Sequence, residues 1–168
     1  MQIRIAGTVS ESIVDGPGLR FVVFTQGCPH NCEGCQNPET HDFSGGRAVD
    51  TGDLYAQCME DPLQDGVTFS GGEPFCQPKA LYELGARLKK NGLNLMCYSG
   101  WTFEELLKKA EKEEYVGKLL SITDILVDGK FMIEKRSLSL KFRGSDNQRL
   151  IDVKRSLSEG KAVEIELN

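Results

Sequence analysis

Three cysteines fall within eight residues, at Cys28, Cys32 and Cys35 in the run GCPHNCEGCQNP (27–38). Thiolates are soft donors suited to zinc or to iron–sulfur clusters. A spacing of three residues and then two wraps them around one point, unlike the two-plus-two pattern of zinc ribbons. Such centres want four ligands, and the next cysteine, Cys58, is far along the chain. Two solutions are open: a zinc site completed by His30 or His41, or a four-iron cluster with three irons tied to protein and one free to bind a substrate. The isolated Cys58, Cys76 and Cys97 read as small buried residues.

Four other stretches carry polar or glycine-rich chemistry. GGEP (71–74) offers backbone that a ligand can approach without a Cβ in the way. In YSGW (98–101) Ser99 is a hydroxyl for a ribose or carboxylate, and in DGK (128–130) Asp128 is an acceptor for an amino group and Lys130 a partner for a carboxylate. FRGSDNQR (142–149) mixes arginine, glycine and amides and suits either a ligand contact or a solvated loop. DGPG (15–18) reads as a turn, and His30 and His41 read as exposed loop residues.

The elements that must position these groups alternate. Strands are predicted at 3–9, 20–26, 66–70, 93–99 and 123–129, with a weaker one at 162–167. Helices are predicted at 51–60, at 78–90 with Leu81, Leu84 and Leu88 on one stripe, and from Thr102, which with Glu105 forms a capping-box pattern ahead of FEELLKKAEKEE. Strand–helix–strand alternation predicts parallel strands with right-handed crossovers. A closed eight-fold barrel needs about 250 residues, and the chain has 168. An incomplete, side-open barrel or a small open sheet remains, built as one domain over 1–168. In either, chemistry gathers at the carboxyl ends of the strands, where all the cysteine, GGEP, SGW and DGK loops fall.

A net charge of -5 gives no basic field for nucleic acid or for anionic membrane surfaces. No long apolar stretch reads as a secretory signal or a membrane span. A cytoplasmic, reducing setting is expected, which favours metal or redox chemistry over disulfides for the cysteine trio.

The runs VDGPGLRFVVFTQGCPHNCEGCQNPET, SGGEP, YSGWTFEEL, DILVDGKF and RGSDNQRLID occur in order from about residue 10 to 152. Together they resemble the glycyl-radical activating enzymes of the radical S-adenosylmethionine superfamily, and within them the activators of anaerobic ribonucleoside-triphosphate reductases. The resemblance implies an α/β fold of the incomplete, side-open β/α-barrel type with parallel strands. It implies a [4Fe-4S] cluster on Cys28, Cys32 and Cys35, with S-adenosylmethionine chelating the fourth iron. The backbone of Gly34, Cys35 and Gln36 and the loop Gly71, Gly72 and Glu73 would seat that cofactor, alongside Ser99, Asp128 and Lys130. One position departs from the superfamily pattern: the residue before the third cysteine, often aromatic, is Gly34. The implied reaction is one-electron cleavage of the sulfonium to a 5'-deoxyadenosyl radical, which takes hydrogen from a glycine of the reductase. The implied partners are that reductase and a one-electron donor such as flavodoxin or ferredoxin. No general base is required of the protein. Activation of pyruvate formate-lyase, small-molecule chemistry of the deazaguanine-synthase type and a zinc-stabilised interaction module are the alternatives.

Overall fold

A computed structural model describes residues 1–166. Seven strands form one mixed sheet in the order β3-β1-β2-β4-β5-β6-β7: β1 (Gln2–Ser12), β2 (Arg20–Thr25), β3 (Arg47–Asp50), β4 (Gly66–Gly71), β5 (Asn94–Tyr98), β6 (Ile125–Asp128) and β7 (Arg149–Asp152). The middle four, β2, β4, β5 and β6, are parallel. The flanking pairs β1–β2, β1–β3 and β6–β7 are antiparallel, which corrects the expectation of parallel strands throughout. The cause is local: residues 13–19 are too few for a crossover, so the chain turns straight back from β1 into β2.

The helices are α1 (Thr51–Cys58), α2 (Pro78–Lys90), α3 (Phe103–Ala110), α4 (Glu114–Ile122) and α5 (Val153–Glu159). The expected capping box is formed, with Thr102 Oγ1 accepting from Glu105 N and the Glu105 carboxylate accepting from Thr102 N. The helix it opens ends at Ala110 instead of running through Glu114. Residues 111–114 are all charged and exposed, and the break lets α4 turn a fresh apolar face, Val116, Leu119 and Leu120, into the core. The weak strand at 162–167 appears only as an isolated bridge of Glu164 to Ile151, and residue 167 lies outside the described residues.

Alternation along the parallel strands gives the sheet two different faces. Val67, Phe69, Leu95, Cys97 and Leu126 join the buried side chains of all five helices in one core. The opposite face presents Phe24, Ser70, Met96, Tyr98 and Val127, and its small apolar cluster has no helix residue in it. The turn containing DGPG is pinned under this second face by Arg20, which is fully buried. Its guanidinium donates to Thr68 Oγ1 (2.7 Å), Pro17 O (2.9 Å), Val67 O (3.0 Å) and Asn94 Oδ1 (2.9 Å). Burial brings its pKa down to about 10. DGPG therefore has a defined task, which is to hold residues 14 and 15 against the helix-free face.

Candidate active site

A cavity of about 480 Å³ opens on the helix-free face at the carboxyl ends of β2, β4, β5 and β6. That volume suits a small-molecule site, typically about 300–1,000 Å³. Its wall contains Cys28, Cys32, Cys35 and Gln36 after β2, Gly71 and Gly72 after β4, Ser99 and Gly100 after β5, and Gly129 and Phe131 after β6. Four loops far apart in sequence thus meet at one place, as the strand-end argument required.

The cysteine loop is held by its backbone. Gly27 N donates to Thr40 O (2.7 Å), Cys28 N to His41 O (3.1 Å) and Cys35 N to Cys32 O (3.2 Å). Burial pushes the Cys28 thiol up to about 11, with the His30 backbone N–H pulling the other way. Burial also raises Cys32, against the Phe131 backbone N–H. Both thiols hold their protons at neutral pH, so a metal that binds them as thiolates must displace those protons.

The β4 loop lies directly on the cysteine loop. Gly72 N donates to Thr25 O (2.8 Å) and Glu73 N to Gly27 O (2.8 Å). A Cβ at Gly72 would come within 2.4 Å of Gly27 O and 3.0 Å of Thr40 O, both backbone atoms. Gly71 has φ +91°, in the region that side chains avoid. These glycines are what let the two loops touch.

Glu73 takes a different position from the one expected of it. It is fully buried, is absent from the cavity wall and collects four donors. Oε1 accepts from His30 Nε2 (2.7 Å), Ser99 Oγ (2.9 Å) and Gly100 N (2.8 Å), and Oε2 accepts from Phe75 N (3.0 Å). One carboxylate therefore ties the cysteine loop to the loops after β4 and β5. His30, expected to be an exposed loop residue, has a side chain only 5% exposed and packs edge-on against Trp101 at 4.7 Å. Ser99 lines the cavity, but its hydroxyl proton goes to Glu73 and its oxygen accepts from Trp101 N. It is not free to donate to a ribose.

Asp128 and Lys130 are not brought to the cavity. Asp128 is buried, accepts from Phe103 N at the start of α3 (2.7 Å) and pairs with Arg149 through both carboxylate oxygens. This pairing raises the Arg149 pKa further. Lys130 is exposed, and only its neighbours Gly129 and Phe131 reach the wall. Gly34, with φ +72°, presents the position of its missing side chain to Ile133 Cδ1, 2.7 Å from where a Cβ would sit. The segment between β6 and β7 fills the space that an aromatic residue there would claim.

That segment, residues 129–148, supplies more of the wall: Phe142, Arg143, Gly144 and Gln148 from the FRGSDNQR stretch that suited a ligand contact, and Leu138 and Leu140, which the sequence did not single out. Gln148 knots it together, accepting from Gly144 N (2.9 Å) and Ser145 N (3.2 Å) and donating to Gly129 O (3.0 Å). The mix of arginine, glycine and amides in FRGSDNQR was the signal available for it.

Cys28, Cys32 and Cys35 bring three soft donors to one cavity wall, a set that suits a cluster in which each thiolate takes its own iron. Of the two histidines that could complete a zinc site instead, His30 is committed to Glu73 and His41 lines the cavity.

A family model for a 4Fe-4S single cluster domain matches residues 14–151, so fold and site define an iron–sulfur protein. The anaerobic ribonucleoside-triphosphate reductase-activating protein of Vibrio cholerae is 33% identical over 150 residues, covering 81% of this chain and 89% of that protein. The chain belongs to the family of these activating proteins. A pyruvate formate-lyase-activating enzyme of Clostridium pasteurianum is 36% identical over 117 residues, and there the chain spans about half of the relative, 49%. Among solved structures, QueE from Escherichia coli is similar in fold, with a TM-score of 0.50 and 22% identity over 60% of this chain and 54% of that one.

The position of Asp128 yields a test. Asp128→Ala removes the partner of Arg149 and the acceptor for Phe103 N, at a cost of about 2 kcal/mol, less than for a fully buried pair because Arg149 is partly exposed. The melting temperature should fall by about 4–8 °C while affinity for S-adenosylmethionine stays within about twofold. An unchanged melt with lost S-adenosylmethionine binding would return Asp128 to the ligand set.

Proposed function

We propose that this chain generates a glycyl radical on an anaerobic ribonucleoside-triphosphate reductase, using S-adenosylmethionine at a [4Fe-4S] cluster held by Cys28, Cys32 and Cys35. The observation that carries this reading is that three thiols share one cavity wall with the Gly71–Gly72 loop. When bound, the cluster and S-adenosylmethionine supply a 5'-deoxyadenosyl radical able to take hydrogen from a glycine Cα. The residues of this chain do the rest. The backbone at Gly34, Cys35 and Gln36 forms part of the cofactor's seat, and that at Gly71 and Gly72 seats the methionine end. Glu73 and Ser99 hold those loops in register, with His30 as the link to the cysteines.

The chain acts as one domain, and its sheet serves as an incomplete β/α barrel, open at the side, whose helix-free face admits a loop of the partner. The mouth supports this. Val14 is 72% exposed and Leu138 is 85% exposed, and both belong to the cavity wall. Exposed apolar side chains at the rim of a cavity suit a protein partner. Coverage of 89% of a reductase activator against 49% of a pyruvate formate-lyase activator favours the reductase. A flavodoxin- or ferredoxin-type protein gives the electron, and the reaction takes place in the cytoplasm without nucleic acid or membrane. Among the described residues no helix is long and apolar enough to cross a membrane.

Reduced protein, S-adenosylmethionine and reductase incubated without oxygen should give a doublet organic-radical signal. Its absence with an intact cluster overturns the proposal. Leu138→Asp should raise the reductase concentration for half-maximal radical formation by roughly tenfold, the effect of losing one interface anchor. Cleavage of S-adenosylmethionine without partner should be unaffected. Equal effects on both would remove Leu138 from the partner surface.

A further inference from the structure

The segment between β6 and β7 carries five cations, Lys130, Lys135, Arg136, Lys141 and Arg143, against two acids, Glu134 and Asp146, in a chain whose net charge is -5. Among the described residues none of the five has a carboxylate within ion-pair distance. Lys130, Lys135, Arg136 and Lys141 are exposed. All but Lys135 belong to the cavity wall or adjoin it in the chain: Arg143 is in the wall, Lys130 lies between Gly129 and Phe131, Arg136 precedes Ser137, and Lys141 lies between Leu140 and Phe142. Adjacent Cα atoms are about 3.8 Å apart, so these charges act on the mouth over roughly one Debye length, about 8 Å at physiological salt.

Apolar side chains stand among the cations. Met132 and Ile133 are exposed, and Leu138 is exposed at the rim itself. The other loops of the mouth differ in sign. The turn between β1 and β2 gives the wall Asp15, which is held by Ser12 Oγ at 2.6 Å, and the cysteine loop carries the exposed Glu33 next to Cys32. Positive charge is therefore confined to one segment of the rim. A field of that shape favours one orientation of an incoming charged loop over its reverse.

We propose that the segment between β6 and β7 is an electrostatic docking rim for an acidic surface of the reductase. The loop that presents the glycine is flanked by Asp or Glu side chains mixed with apolar ones; the acids meet the exposed cations, and Met132, Ile133 and Leu138 take the apolar contacts. The assignment rests on the reading that the mouth admits a loop of that reductase. Exposed charges of this kind speed encounter and select orientation more than they add affinity. The apolar contacts set how long the complex lasts.

The test uses the full chain with reconstituted cluster and measures its association with the reductase by surface plasmon resonance, without oxygen, over a range of salt. From about 0.05 to 0.5 M salt the association rate constant should fall at least about tenfold as the field is screened. Lys135→Glu combined with Arg136→Glu should lower it roughly 10–100-fold at low salt and flatten the salt dependence, with a much smaller change in dissociation. Lys135→Gln with Arg136→Gln should fall between. Lys108→Glu with Lys112→Glu, exposed at the far end of α3 and just beyond it, shifts the net charge equally and should leave association within about twofold of wild type. Circular dichroism shows that each variant is folded. Association that ignores salt, or that responds equally to the two Glu pairs, would overturn the proposal. Faster association of the Lys135/Arg136 Glu pair would mark the reductase surface as basic, which also overturns it. Failure of the functional reading looks different: wild type associates with the expected salt dependence, yet no radical forms on the reductase.

Discussion

Cys28→Ala, prepared and reconstituted without oxygen, should be a colourless protein with close to zero iron where the wild type holds about four per chain. Radical formation on the reductase should fall at least about 1,000-fold, because no side chain of the protein can replace the one-electron chemistry of the cluster. The fold should survive, since the thiol is half-buried at the edge of a cavity and lies outside the main apolar core. Cys32→Ala and Cys35→Ala should behave alike. Cys58→Ala and Cys97→Ala should keep their iron, because those thiols are buried in the helix-side core, where burial pushes both up to about 12. A Cys28 variant with four irons and an unaltered cluster spectrum would remove that residue from the ligand set. Loading should also release protons. The Cys28 pKa in the folded apo protein, about 11, lies above working pH, so iron binding should tighten as pH rises.

The second large effect is expected at Glu73. Glu73→Ala strands the His30 ring, the Ser99 hydroxyl and the N–H groups of Gly100 and Phe75 in a buried space. Unsatisfied buried donors cost about 1–3 kcal/mol each. With partial relaxation a total near 3 kcal/mol is expected, a fall of about 6–12 °C in melting temperature for a chain of this size. The functional loss should exceed what instability alone produces. Three loops lose their common anchor, so at temperatures where the variant is fully folded S-adenosylmethionine should bind at least about tenfold more weakly, a cost of about 1.4 kcal/mol in positioning. Circular dichroism melts together with binding titrations separate the two. Normal affinity in a folded variant would reduce Glu73 to a purely structural role.

The central strands, α2 and the Thr102 cap were legible because each carried its own local signal, in β-branched runs, a leucine stripe and a capping pair. β3 was not legible. Its four residues are half to fully exposed and owe their extended state to pairing with Gln2 to Ile5 of β1. Nor was β7, which was not expected as a strand at all: LID (150–152) is too short a run to carry its own signal, and nothing local in it says which way a strand points. At the site, the cysteines and glycines were readable because chemistry and close packing limit what can stand there. Polar residues were not, because a side chain's use depends on its neighbours. Glu73, Ser99 and Asp128 all lie at strand ends, as expected, and each is consumed by partners remote in sequence.

The segment between β6 and β7 ties its own two ends together. Asn147 caps Lys130 O, Arg136 bridges Ser145, and Gln148 returns to Gly129. It is therefore a cassette with its two ends stapled together, inserted at a single seam of the sheet. Exchanging it between homologous activators should change recognition of the macromolecular target together with the cavity wall it supplies, while the three cysteines keep their places on the loop after β2. Evolution, or an engineer, can redirect the same radical chemistry to a new protein by editing about twenty consecutive codons.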